Sequence, residues 1–200
     1  YSSIDTQGRY AFGNQPYIVH WNLTVFASSL LPLFAEEPEK SVELAQAVIN
    51  EFEEEFKKRW YAIMFQKIGI KDTEVQDRKM VDELLSLMEE YQMDFTQLFV
   101  ALEEDKELDR PLFQYKEFND WKRKWKEANP DTELMKSVNP RIIPRNNWVE
   151  DALEAAVNGN MEPFNDLLAK LSKPYDHHPE LEFEEPSNDF EEEYQTFCGT

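Results

Sequence analysis

The chain has 200 residues, 41 acidic against 21 basic, for a formal charge of −20. Such a field repels phosphate and supplies none of the counterion release that drives nucleic-acid binding, so DNA, RNA and anionic membrane are poor partners. Hydrophobic residues make up 41% and aromatics 14%, enough large apolar side chains for a folded body rather than a disordered one.

No apolar run reaches about 18 residues, and the start Tyr1-Ser2-Ser3-Ile4-Asp5 lacks the basic and apolar regions of a signal peptide, so the chain reads as soluble. It opens without Met, which we take to mean a piece of a longer polypeptide. The one cysteine, Cys198, allows no intrachain disulfide and suits a reducing, cytosol-like compartment.

Residues 1–16 carry Gly8, Gly13, Asn14 and Pro16, which is loop chemistry leading to a proline in a first helical turn. From Tyr17 to about Leu33 apolar residues fall on nearly every side, a pattern that predicts a buried helix at the centre of the core. Glu37-Pro38-Glu39-Lys40-Ser41 reads as a break and a cap. Ala45, Val48, Ile49, Phe52, Phe56, Ile63 and Met64 then recur at three- and four-residue spacing, predicting one long amphipathic helix to Gly69.

Lys71-Asp72-Thr73 is expected to open the next helix, lined by Val81, Leu84, Leu85, Met88 and Tyr91. A short helix bearing Phe95, Leu98, Phe99 and Leu102 follows. After the charged connection from Asp105 to Arg110, Phe118, Trp121 and Trp125 share one helical face, ended by Asn129-Pro130. Prolines 140 and 144 interrupt helix, which resumes with Trp148, Val149, Ala152, Leu153 and Ala156 up to Asn158-Gly159. Phe164, Leu167, Leu168 and Leu171 make the last helix. Beyond Lys173-Pro174 the acidic tail is expected to be irregular, its aromatics lying on the helical body. There is no strand series, and the fold class is mainly α.

Phosphate cradling needs glycine-rich turns, but there are five glycines and neither G-x-G-x-x-G nor G-x-x-x-x-G-K-[ST]. Zinc needs clustered Cys and His, whereas Cys198, His20, His177 and His178 offer no ligand set. The runs Glu53-Glu54-Glu55 and Glu191-Glu192-Glu193 read as solvated faces, since acid–base catalysis needs two carboxyls in different environments. Composition and spacing alone assign no catalysis. A helical scaffold or protein-interaction module, binding a partner through acidic tail and aromatics, stays open as the alternative.

Two segments exceed what helix packing needs. Asp5-Thr6-Gln7-Gly8-Arg9-Tyr10-Ala11-Phe12-Gly13-Asn14-Gln15-Pro16 leads into Trp21-Asn22-Leu23, with Arg9 expected to pair with a buried carboxylate. Ser137-Val138-Asn139-Pro140 and Pro144-Arg145-Asn146 read as a helix-breaking turn with Arg145 in an ion pair. Together with the ending Thr196-Phe197-Cys198-Gly199-Thr200, these motifs resemble the selenoprotein O family, in order and along the whole chain.

The resemblance implies a protein-kinase-like fold that binds ATP in reversed orientation and joins AMP to Ser, Thr or Tyr hydroxyls of protein substrates, using ATP and Mg²⁺. The nucleotide-clamping and metal-holding residues would lie upstream, so no catalytic, cofactor-binding or metal residue maps onto this chain, and by itself it is expected to be inactive. The motif residues carried over as structural are Asp5, Gly8, Arg9, Tyr10, Gln15, Pro16, Trp21, Asn22, Asn139, Pro140, Arg145 and Asn146. Residues 1–36 would be an activation-segment-like loop and buried helix, 37–172 a helical bundle completing the lobe, and 173–200 the tail. Cys198 stands where family members carry selenocysteine or cysteine, which makes it the redox candidate, although the neighbouring carboxylates should raise its pKa. A bacterial cytoplasm is the expected setting, or a mitochondrion if the source is eukaryotic.

Overall fold

The alternation of turn residues and helical periodicity produces a helical protein with no strand among the described residues, which in this computed structural model are 5, 7–9, 11–71 and 78–176. They divide into two compact units, the first running to Trp60 and the second from Tyr61.

In the first unit a 3-10 turn, Phe12–Asn14, runs into α1, Gln15–Phe34, with Pro16 in the first turn where its missing N–H costs nothing. α2, Pro38–Asn50, folds back on α1. Ser41 is buried at the hairpin bend, where its Oγ donates to the Ala35 carbonyl and accepts from the Ala35 N–H, both at 3.1 Å. The first half of α3, Phe52–Lys67, adds Phe52, whose ring stacks on His20 at 5.3 Å and on Phe56 at 6.1 Å.

Three expectations change here. The single long helix is split at Glu51, where poorly helix-forming Asn50 is followed by Glu53, Glu54 and Glu55, residues that favour a helix start. α1 is not a buried helix within this chain: none of its residues is buried, because α2 covers one side and its apolar residues lie on all sides. By length and composition alone Phe12–Phe34 could cross a membrane, against the reading that no segment is apolar enough.

The second unit holds the core. α3 ends there with Met64 and Phe65 buried and Ile68 buried just after it, followed by α4 (Lys79–Glu90), α5 (Phe95–Glu103), a 3-10 turn (Pro111–Gln114), α6 (Lys116–Glu127), α7 (Thr132–Val138), α8 (Asn146–Val157) and α9 (Glu162–Leu171). α4 starts at Lys79, so the expected opening at Asp72-Thr73 lies outside the described residues, as does the tail beyond Asp176.

Phe118, Trp121 and Trp125 sit one turn apart on α6, so their rings stack in a column with 5.9 Å between successive centroids, and Phe113 meets Phe118 edge-on at 5.1 Å. Each buried indole finds an acceptor: Trp121 Nε1 donates to the Met80 carbonyl and Trp125 Nε1 to the Ile68 carbonyl, both at 2.7 Å. α8 and α9 form a second hairpin, of which only Ala152 is buried.

Candidate functional site

The first motif segment builds a loop from local hydrogen bonds. Asp5 Oδ1 accepts from the Arg9 N–H at 2.8 Å and the Asp5 carbonyl from the Gly8 N–H at 3.1 Å, which folds the chain back at Gly8. Gly8 has φ +65°, a conformation that glycine adopts freely. Its carbonyl accepts from the Ala11 N–H and from Asn14 Nδ2 at 2.7 Å, tying the loop to the start of α1. The Arg9 guanidinium lies 4.9 Å from the Trp21 ring centroid, so the loop also rests on the second turn of α1. Gln15 and Asn22 are exposed, Pro16 half-buried, and Tyr10 lies outside the described residues. The segment is a folded loop clamped to a helix, with Arg9 over an aromatic face.

The second motif segment runs along α5. Arg141 reaches Glu103 at 2.5 Å and Glu104 at 2.7 Å, at the C-terminal end of that helix. Arg145 takes both carboxylate oxygens of Asp94, at 2.8 and 3.0 Å, at its N-terminal end. Nine helical residues rise about 14 Å, and four extended residues span about 13 Å, so Arg141 and Arg145 are spaced to hold the two ends of one helix.

Asp94 is itself the N-cap of α5, accepting from the Gln97 N–H at 2.8 Å. Burial raises its pKa, but the Arg145 guanidinium and the Gln97 and Thr96 amides outweigh burial and hold the carboxyl below its usual range. Glu103 goes the other way: burial raises its pKa more than Arg141 lowers it.

Asn139, only 1% exposed, donates from Nδ2 to the Lys67 carbonyl at 2.8 Å. Trp125 takes the Ile68 carbonyl and the Asp131 N–H takes the Gly69 carbonyl at 2.8 Å, so three groups from distant sequence bind the carbonyls of the last residue of α3 and of the turn that follows it. Gly69 at the turn has φ +74°, and a Cβ there would lie 2.8 Å from the Asp131 nitrogen and 2.9 Å from its oxygen. Pro140 is half-buried and Asn146 is the exposed first residue of α8.

Beside this cap the Lys67 side chain is buried, its Nζ 4.6 Å from the Phe99 ring centroid and 5.1 Å from that of Phe95. Burial lowers its pKa to about 8.

The structure thus brings Asn139 and Arg145 into one strap, and Asp5, Gly8 and Arg9 into one loop that rests on Trp21 of α1. The two sets lie in different units. Sequence reading missed Arg141, whose proximity to Glu103 and Glu104 is visible only in space, and the capping role of Asn139. A signal was available for Asp94, an Asp directly before the helical pattern of Phe95, Leu98, Phe99 and Leu102.

A phosphate-bound cation needs convergent carboxylates, and among the described residues no three His, Cys, Asp or Glu side chains come together to hold a metal. The strap arginines are engaged by Asp94, Glu103 and Glu104.

Residues 2–172 match the family model described as protein adenylyltransferase SelO. The chain is 43% identical over its full length to the protein nucleotidyltransferase YdiU of Bacillus cytotoxicus, and 40% identical to those of Bacillus thuringiensis and Bacillus mycoides. In each case it spans 43% of the relative's length.

Proposed function

The chain belongs to the protein adenylyltransferase SelO family, and on that premise we propose that the longer protein containing it transfers AMP from ATP to hydroxyl groups of protein substrates in a bacterial cytosol. The observation that carries this reading is similarity along the entire chain to proteins named nucleotidyltransferases. Transfer of a nucleotidyl group rests on stabilising negative charge at the phosphates, supplied by Mg²⁺ and basic groups. Those groups belong to the part of the protein outside these residues. Our reading gives this chain the supporting role: residues 1–36 as activation-segment-like loop and following helix, 37–172 as the bundle that completes a kinase-like lobe, and 173–200 as the tail.

The supporting role agrees with what the motif residues do. Asn139 and Arg145 are engaged in capping α3 and holding α5. Incubating the full-length protein with α-labelled ATP, Mg²⁺ and a protein acceptor should label the acceptor, and the 200-residue chain alone should not. Labelling by the chain alone, or none by the full-length protein, overturns the reading. A redox role for Cys198 is the part with its own test: its alkylation rate in the full-length protein should fall after peroxide, and unchanged labelling removes the switch.

A further inference from the structure

We propose that the Lys67 amine is an acylation site, at which a small acyl phosphate transfers its acyl group to Nζ. Lys67 is the last residue of α3 and only 9% exposed, with Nζ between the rings of Phe99 and Phe95, at 4.6 and 5.1 Å from their centroids. Ring faces attract an ammonium, but they do not take its three N–H donors as a carboxylate would. Among the described residues no carboxylate pairs with it: Glu103 of α5 and the N-cap Asp94 are engaged by Arg141 and Arg145. Burial, with no neighbouring charge to oppose it, lowers the Lys67 pKa to about 8. A lysine so placed is in good part a neutral amine near neutral pH, and the neutral amine is the form that attacks a carbonyl carbon.

The amine is not sealed in. Among the described residues the side-chain polar atoms that are fully buried without a partner are Glu103 Oε2, Asn139 Oδ1 and Asn147 Oδ1; Lys67 Nζ is not one of them and keeps a path to solvent. Phe99 is buried and Phe95 is 46% exposed, so that path runs along Phe95, and its narrowness restricts the donor to a small one. In the reaction Nζ attacks the acyl carbon, the bond from that carbon to the phosphate oxygen breaks, and phosphate leaves with the electron pair and takes up the amine proton. The product is a neutral amide with a short apolar group against the two rings. Burial favours that product, whereas it would oppose the anion formed by adding carbon dioxide or a phosphoryl group. Acylation also withdraws the basic charge from the last turn of α3, beside Asn139.

The test treats the unaltered full-length protein with acetyl phosphate at about pH 7.5 and reads the acetylation rate of each lysine by peptide mass spectrometry, in the folded protein and in urea. Lys67 should react at least about threefold faster than the exposed Lys58 and Lys116, and the excess should vanish in urea. In the folded protein its rate should level off above about pH 8, while in urea the rate of the same lysine keeps climbing to about pH 9. A folded rate at or below those of Lys58 and Lys116 overturns the proposal. So does an excess that persists in urea, which would belong to the local sequence and not to the fold. The reaction needs no nucleotide, so a Lys67 excess in a protein without AMP transfer would remove the functional reading and leave this one standing.

Discussion

The two units use large apolar side chains in opposite ways. In the second, Phe118, Trp121 and Trp125 are fully covered, their rings stacked and their indole N–H groups satisfied by carbonyls of other elements. In the first, Trp21, Phe26 and Leu33 stand open and Ser41 is the one buried residue among those described. The aromatic content is similar in kind, and what differs is the number of neighbours each helix has. Burial is a property of the assembly around a helix, and only indirectly of the helix.

The sharpest way to break this contrast is at the tryptophan column. In the full-length protein Trp125→Ala should cost about 4 kcal/mol, from the cavity and the unsatisfied Ile68 carbonyl together, read as a lower urea midpoint with unchanged slope. A loss under about 1 kcal/mol would mean that the column is not a core. Gly69→Ala should cost about 3 kcal/mol, because φ is +74° and the new Cβ meets Asp131 backbone atoms.

Leu33→Ala extends the comparison to the first unit. It should cost about 2.5 kcal/mol in the full-length protein if α1 is covered there, against about 0.5 kcal/mol for a side chain as open as it is within this chain. Arg145→Met should cost about 2 kcal/mol at pH 7 by leaving Asp94 partly buried without its partner. The lowered Asp94 pKa contributes stability above the ordinary carboxylate pKa that is lost as pH falls through the folded value. The variant should therefore lose less stability on acidification from pH 6 to about 3 than the parent does.

The smallest effect is at Lys67. Its folded pKa of about 8 is below the unfolded value, so between these the unfolded state binds more protons and stability rises with pH. The thermal midpoint of the parent should gain about 1–2 °C on Lys67→Met between pH 7 and 9. Parallel curves would show the ammonium to be as well solvated as in the unfolded chain.

Much of the fold is legible in the order of residues alone. Helical periodicity places α4, α5, α6 and α9, and the Phe118, Trp121, Trp125 spacing marks the buried face of α6. The break at Glu51 is not legible, because the apolar spacing continues through it and only the local preference of Asn50 opposes it. Arg145 as an ion-pair residue is readable from the sequence, since an arginine taken into a compact fold is almost never buried unpaired. Its partner Asp94, 51 positions earlier, is not, since nothing in a linear pattern encodes which carboxylate lies across a helix.

By itself, then, the sequence determined the helical class, the positions of most helices and, through a series of motifs in order, membership of a family. Local forces suffice for the class and the helix positions: periodicity, capping and turn chemistry act over a few residues. Only the tertiary structure decided that Asn139 caps α3, that Arg141 and Arg145 hold the two ends of α5, and that α1 lies open on most sides within this chain. Those outcomes depend on which distant groups meet in space, where burial and pairing are set by neighbours that no local pattern specifies.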